Sequence, residues 1–307
     1  MTVSFGKLQN VYPKVKCAIV AIVSKVSTQP HFPPIVGTGF IAREDGLIFT
    51  CDHVVNAIEK LPRKKGASKD EWPADILIFH NVPDKGMAII PMEIKGVIQT
   101  ALFKPKGYYY GEDIPDIGVI KVNFTGLPKI ELKSEISLNE GDVVAVSGFP
   151  MGEDVLIAPG WLHQFSPTLQ TGIVSAILPF PCKSPHSILV DIMCKGGSSG
   201  SPIFDIESGE VLGMVYAGLN ERKIIRGKNT LLVYENSSSL TLAIPCNFIS
   251  TMLERIDDVP GFKEHKIEEL KDFKSTISEA IEKGEYIFSP PKEPHMTEKV
   301  QIERKKN

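Results

Sequence analysis

From residue 15 to about residue 245 the chain repeats one pattern: short apolar stretches, many β-branched, each closed by a cluster of Gly, Pro, Asn or Asp. Cys17 to Val23, Ile35 to Ala42, Leu47 to Cys51, Ala74 to Phe79 and Ile117 to Val122 follow it. So do Asp142 to Gly148, Thr171 to Ile177, Ser187 to Ile192, Val211 to Ala217 and Leu240 to Ile244. β-Branched side chains fit a pleated surface, and the punctuating residues supply the turns between strands. A parallel sheet needs long crossovers, and no long amphipathic helix separates these stretches. The pattern predicts an all-β body of barrel or sandwich type.

A polar stretch, Gly126 to Asn139, divides this body into two halves with similar numbers of candidate strands. Two small barrels joined by a linker account for it, over residues 1–130 and 131–260. After Pro245 the spacing changes: Phe248, Ile249, Met252, Leu253 and Ile256 recur with helical period until Pro260-Gly261, which predicts a closing helix. Ile267, Leu270, Phe273, Ile277 and Ile281 then mark one face of a second, highly charged helix ending at Gly284. The remaining SPPKEPHMTEKVQIERKKN reads as a disordered tail. The apolar face within residues 261–307 has three destinations: its own barrel, a regulatory protein partner reached through residues 262–307, or solvent.

Charge and hydropathy narrow the function classes. Lys plus Arg number 34 against 37 Asp plus Glu, a net charge of −3, which provides no field for gripping nucleic acid or anionic lipid. Apolar runs such as Cys17 to Val23 fall far short of the ~20 residues of a membrane-spanning helix. Neither a nucleic-acid partner nor a membrane is expected. The opening MTVSFGKLQNVYPKVK lacks the pattern of a secretory signal, and five scattered cysteines (Cys17, Cys51, Cys182, Cys194, Cys246) read as mostly free thiols. The expected compartment is the cytoplasm.

The sharpest local string is Lys195-Gly196-Gly197-Ser198-Ser199-Gly200-Ser201-Pro202-Ile203-Phe204. Glycines packed around a serine let successive backbone N–H groups converge on one point, as an oxyanion hole requires. Alone, the string is equally a Gly/Ser loop. A serine nucleophile also needs a base within reach and a third group to hold that base. His53, in Leu47-Ile48-Phe49-Thr50-Cys51-Asp52-His53-Val54-Val55, lies where an apolar strand meets the start of a short helix. Asp116, in Asp113-Ile114-Pro115-Asp116-Ile117-Gly118-Val119, opens an alternating strand. Taken singly, the first is a structural histidine and the second a turn-capping aspartate.

Together and in this order, the three strings resemble those of the chymotrypsin-like serine peptidases, and most nearly their high-temperature-requirement (HtrA or Deg-type) branch. Gly37-Thr38-Gly39-Phe40 with Thr50 to Val55 resembles G-[ST]-G-F followed by T-x-x-H-V-V. Asp116 to Val119 resembles D-[IL]-A-V, and Gly197 to Pro202 resembles G-N-S-G-G-P. Leu189-Val190-Asp191, Glu210 to Met214 and Leu242-Ala243-Ile244-Pro245 continue the likeness, which covers about residues 15 to 255.

The resemblance implies two six-stranded antiparallel β-barrels with a C-terminal helix, and endopeptidase activity on protein or peptide substrates with no cofactor and no metal. It also implies Ser199 as nucleophile, His53 as base then acid, Asp116 as its orienter, and the N–H groups of Gly197 and Ser199 as the oxyanion hole. Asp113 is the alternative to Asp116; Asp52 should point elsewhere. Three departures stand out. Ser201 replaces a glycine, Lys195-Gly196 replaces N-P, and residues 256–307 are too short for the ~90-residue PDZ module of that branch.

The pocket for the residue before the cleaved bond maps to Met193 and Cys194, Tyr216-Ala217-Gly218, and Leu240-Thr241-Leu242. None is charged, so an apolar side chain is expected there. Ala217 and Gly218 can also pair with an extended substrate backbone. Cys182, His186 and Cys194 are metal-ligand types without paired spacing, and read as loop and core residues.

Overall fold

The computed structural model describes residues 6–26, 34–84, 86–99, 115–133, 138–150, 166–182, 185–226, 231–259, 270–284 and 287–288. Six strands form the first barrel: β1 (Ile19–Ser24), β2 (Ile35–Arg43), β3 (Leu47–Thr50), β4 (Ala74–Val82), β5 (Gly86–Gln99) and β6 (Gly118–Val122). Their order is β5-β4-β1-β2-β3-β6, all antiparallel, and β5 closes the ring onto β6. Closure works because β5 is long and bends at a bulge near Ile94 to Gly96: its first part pairs with β4 and its last part with β6. The strand pattern does not announce β5, because Pro91, Glu93 and Lys95 interrupt its apolar run. In the barrel these three face solvent while Ala88, Ile90, Met92 and Ile94 are buried.

The second barrel closes in the order β10-β13-β12-β11-β8-β9. Its strands are β8 (Val143–Gly148), β9 (Thr168–Leu178), β10 (Ser187–Val190), β11 (Pro202–Asp205), β12 (Val211–Arg226) and β13 (Leu231–Pro245). The expected all-β body of two six-stranded antiparallel barrels is therefore the observed architecture. β12 and β13 run well past the expected Val211 to Ala217 and Leu240 to Ile244, as a hairpin paired as far as Arg226 and Leu231. The crossing between barrels is stitched by backbone bonds: Ile130 N–H to Ile41 O, Val211 N–H to Glu131 O and Lys133 N–H to Val211 O.

Two apolar cores result. One fills the first barrel and reaches across the interface to Phe149, Phe204 and Met214; the other, built from residues such as Val146, Val174, Ile188 and Ile203, fills the second. Among the described residues four α-helices surround them: α1 (Gly6–Lys16), α2 (Asp52–Glu59), α3 (Cys246–Arg255) and α4 (Phe273–Lys283). α3 is the expected closing helix. α1 has no counterpart in the strand pattern. It lies against the second barrel, where the Tyr12 hydroxyl donates to Pro167 O (3.0 Å) and shares a bond with Ser147 Oγ (2.9 Å).

α4 begins later than its periodicity suggests, capped by Asp272, whose carboxylate accepts from Ser275 N–H. It ends at Gly284, whose φ of 66° suits a glycine C-cap. Phe273, Ile277 and Ala280 are buried, and Phe273 meets His80 of β4 edge-on, so the described part of this face is spent on the first barrel. Leu270 lies off that face, 48% exposed, and Ile267 falls outside the described residues. Two short strands strengthen the attachment. β14 (Lys271–Asp272) runs parallel to β7 (Phe124–Thr125), and β15 (Ile287–Phe288) pairs with the start of β5. No helix among the described residues is long and apolar enough to cross a membrane.

Candidate active site

β3 delivers Thr50 and Cys51 to the start of α2, which puts His53 in its first turn. Asp116 lies just before β6. The two meet because Gly118 lacks a Cβ: one there would lie 2.6 Å from Val55 Cγ2 and 3.0 Å from Cys51 O, holding α2 off the strand. One carboxylate then engages His53 twice. Asp116 Oδ1 accepts from the His53 backbone N–H at 2.9 Å, and Oδ2 lies 2.5 Å from ring Nδ1. With Nδ1 committed, the proton-accepting position left on the ring is Nε2. The His53 side chain is 49% exposed and that of Asp116 only 18%, so the carboxylate works from behind the ring. The hydrogen bond to Asp116 raises the His53 pKa above its ordinary value, against an opposing effect of burial. Asp52 turns away, as expected: its Oδ2 accepts from Asn56 Nδ2, and burial raises its carboxyl above the usual range. Asp113 lies outside the described residues.

In the second barrel, residues 195–201 fold as successive tight turns, with Ser198 N–H bonded to Lys195 O and Ser201 N–H to Ser198 O. Gly197 and Gly200 have φ of +88° and +89°, a region that L side chains avoid. A Cβ on Gly200 would fall 2.0 Å from Thr38 O. Among the described residues no acceptor binds the N–H of Gly197 or of Ser199, which leaves two donors free at one turn. Ser198 is buried at 3% exposure, whereas Ser199 is half-buried with its hydroxyl unbonded to any described residue. Of the adjacent serines, Ser199 is the accessible one. Its hydroxyl makes no hydrogen bond to His53 in this structure.

Thr38 of β2, fully buried, joins the two barrels at this loop. Its N–H donates to Ser199 O (2.9 Å) and its Oγ1 to Gly197 O (2.7 Å), while Oγ1 accepts from Phe149 N–H (2.9 Å). Thr50 Oγ1 in turn donates to Thr38 O. Buried Cys51 adds a second link, its thiol donating to Val215 O at 3.2 Å. Sequence reasoning missed both roles. The signal for the first was the pair of glycines flanking Thr38. A Cβ on Gly37 would lie 2.8 Å from Val54 Cγ1, and one on Gly39 2.8 Å from Ile48 Cγ2, so only glycines let β2 come this close. Ser201 fits in place of the usual glycine because Gly148 makes room: a Cβ there would be 1.9 Å from Ser201 Oγ.

Beside Ser199 lies a pocket of about 240 Å³. Cys194, Tyr216, Ala217 and Gly218 line it as mapped from sequence, joined by Lys195, Asn220 and Ser237. Met193 is instead 42% exposed, and neither it nor Leu240 or Leu242 of β13 lines the pocket. β13 turns its Leu242 toward pairing with Leu189 and Ala217, and the long hairpin supplies Ser237 in its place. Among the described residues no carboxylate lines it. Cys182, His186 and Cys194 are not brought together; among the described residues the one cluster of metal-ligand types is Cys51, His53 and Asp116. Its members already bond to each other or to Val215 O.

The sequence matches the family described as trypsin-like peptidase domain over residues 37–214, a span that includes His53, Asp116 and Ser199. It is 28% identical over 179 residues to a probable periplasmic serine endoprotease DegP-like of Halomonas elongata, covering 58% of this chain and 28% of that protein. It is 22% identical over 225 residues to the mitochondrial serine protease HTRA2 of Drosophila persimilis, covering 71% of this chain and 38% of that protein. The chain thus spans well under half the length of these relatives. A crystal structure of Rv3671c from M. tuberculosis, an inactive serine-to-alanine mutant, superposes with a TM-score of 0.47 at 17% identity, covering 81% of this chain and 91% of that one.

Proposed function

The chain belongs to the trypsin-like peptidase family, and from that premise we propose that it is a serine endopeptidase acting on protein or peptide substrates through Ser199, His53 and Asp116. The observation that carries the proposal is the double grip of Asp116 on His53, together with a loop that has an accessible hydroxyl and two N–H donors without an acceptor among the described residues.

In this reading Ser199 Oγ attacks the scissile carbonyl and gives its proton to His53 Nε2. The negative charge that develops on the carbonyl oxygen is met by the N–H groups of Gly197 and Ser199. Asp116 holds the tautomer with the proton on Nδ1 and stabilises the imidazolium. His53 then protonates the leaving amine, an acyl group remains on Ser199, and a water activated by His53 releases it. The described residues that line the pocket carry no counter-charge for Lys or Arg, so we assign it an apolar residue before the cleaved bond, against Val215, Ala217 and Gly218.

A second reading, a latent or zymogen-like protease that a partner activates, is favoured by one observation: the Ser199 hydroxyl and His53 are not hydrogen-bonded. One experiment separates the two. Purified protein is treated with a fluorophosphonate probe at several pH values and the adduct mapped, with Ser199→Ala as control. Labelling of Ser199 that rises with pH and vanishes in the variant supports the active triad. No labelling of folded protein supports the latent form. For the compartment we propose the cytoplasm, on the five unpaired thiols; fractionation tests this against the periplasmic assignment carried by the named bacterial relative.

A further inference from the structure

Thr38 holds the loop of residues 195–201 from the first barrel, and the end of β8 holds both Thr38 and the loop from the second. Phe149, next after β8, donates its N–H to Thr38 Oγ1 at 2.9 Å, and that hydroxyl donates in turn to Gly197 O at 2.7 Å. Gly148, the last residue of β8, packs directly on the loop: a Cβ there would lie 1.9 Å from Ser201 Oγ. The position of this strand end therefore bears on the loop by two routes.

One side chain from outside both barrels fixes that end. Tyr12 of α1 gives its single phenolic proton to Pro167 O at 3.0 Å, so its oxygen accepts from the Ser147 hydroxyl at 2.9 Å. Ser147 is fully buried in β8, and Pro167 immediately precedes β9. The two strands pair through Ser147 with Leu169 and Gly148 with Thr168, so the phenol ties them together at the end next to Phe149. The Tyr12 ring also stacks on Phe204 of β11, centroids 6.5 Å apart and planes 6° from parallel, and β11 starts at Pro202, directly after the loop. The same helix reaches the turn beyond β11: Lys7 pairs with Glu207 at 2.9 Å, and a Cβ on Gly209 would lie 2.7 Å from Val11 Cγ1. Leu8 and Val15 are buried and cover apolar surface. Covering needs no hydroxyl, and a buried hydroxyl costs free energy unless it is bonded. Burial also raises the Tyr12 pKa, which keeps the phenol protonated.

We propose that Tyr12 is a positioning residue for the nucleophile loop. By pinning Ser147 and Pro167 it fixes Gly148 and Phe149, which set Ser201 and Thr38, and through them the backbone of Gly197 and Ser199. This rests on Ser199 as the nucleophile. It gives α1 control over the site: release of the helix from the second barrel loosens the loop and leaves the His53 to Asp116 pair as it was.

The test uses the full chain with single substitutions. Tyr12→Phe removes the hydroxyl and keeps the ring on Phe204, Ser147→Ala removes the same bond from its other end, and Lys7→Ala removes an exposed contact of the same helix. The rate of fluorophosphonate labelling of Ser199 is measured at a temperature where circular dichroism shows each variant fully folded. Tyr12→Phe and Ser147→Ala should each slow labelling about fivefold, the worth of one hydrogen bond. Lys7→Ala should stay within about twofold, and the His53 imidazole midpoint should not move in any of the three. Added to Thr38→Val, Tyr12→Phe should slow labelling by less than about twofold more, because the link through Thr38 is already cut. Unchanged labelling in both Tyr12→Phe and Ser147→Ala overturns the proposal, as does a full effect of Tyr12→Phe on the Thr38→Val background. Equal slowing by Lys7→Ala makes α1 a cover only, and overturns it too. If the unmodified protein does not label, the catalytic reading fails by itself and hydrogen exchange decides the positioning role. The amides of Ser198, Gly200 and Ser201, bonded to Lys195 O, Val215 O and Ser198 O, should then exchange about fivefold faster in Tyr12→Phe; unchanged exchange overturns the proposal.

Discussion

His53 and Asp116 come from the same barrel and hold each other directly, through two bonds from one carboxylate. Ser199 comes from the other barrel, and the two carbonyls of its loop are bonded by a residue of the first barrel, Thr38. The half of the site proposed to supply the base is thus assembled within one folding unit, whereas the half proposed to supply the nucleophile is assembled across an interface. The difference teaches where control over such a site resides. Small displacements between the barrels leave the His53 to Asp116 pair untouched and move the loop that contains Ser199, Gly197 and Gly200.

The largest expected effect tests the base half. Asp116→Asn should lower kcat by about 10⁴-fold, because an amide stabilises the wrong tautomer and no longer supports the imidazolium. It should also lower the pKa of His53, which the hydrogen bond to Asp116 now raises. The pH consequences have a definite sign. On the proposed mechanism turnover requires neutral His53, so in the unmodified protein kcat/KM should rise with a midpoint above ~6.5. Stability runs the other way. A folded-state pKa above the unfolded one adds stability that is complete below the unfolded value and lost as pH rises through the folded value. The ring is half in solvent, so this contribution is screened and small. Imidazole proton NMR across pH 5 to 9 reads the shift directly. An unchanged His53 midpoint in Asp116→Asn breaks the claim that this half is self-contained.

Thr38→Val should have the next largest effect, and on the other half. The substitution keeps volume but removes the donor to the part-buried Gly197 O and the acceptor for the buried Phe149 N–H, at a cost of about 1–3 kcal/mol. Slackening of the loop should slow fluorophosphonate labelling of Ser199 by about 10². The His53 midpoint should stay where it was. If labelling and His53 titration move together, the two halves are one unit and the comparison fails.

These halves were unequally legible in the sequence. Short apolar, β-branched runs closed by turn residues pointed to two β-barrels, and strands such as β1 and β3 read as such runs because they are buried along their whole length. β5 escaped because Pro91, Glu93 and Lys95 sit on its outer face and break the apolar run. The order of the three motifs, together with the family resemblance, singled out His53, Asp116 and Ser199. That Ser198 is buried and Ser199 accessible was beyond any local reading, since both sit in the same Gly/Ser string. Cys51 and Ser237 had no local signal of function, and Thr38 had only its two flanking glycines, because each acts on a partner far along the chain: Val215, the pocket at Ser199 and Gly197. The C-terminal helix showed its apolar face but not its destination, which depends on the shape of the β4 and β5 surface that receives it.

That destination supplies the smallest expected effect on activity and a control for the comparison. α4 is anchored by Phe273, Ile277 and Ala280 on β4 and β5, strands that carry none of the three site side chains. Phe273→Ala removes the largest of these anchors and leaves a cavity beside His80, for a loss of about 3 kcal/mol. Hydrogen exchange should show the amides of α4 losing protection while those of β1 to β3 keep theirs. The rate of Ser199 labelling should stay within about twofold of the unmodified protein. A drop of tenfold or more would mean that the first barrel transmits strain from α4 through β5 and β6 to Asp116, and the base half would then be sensitive to events at the C-terminus.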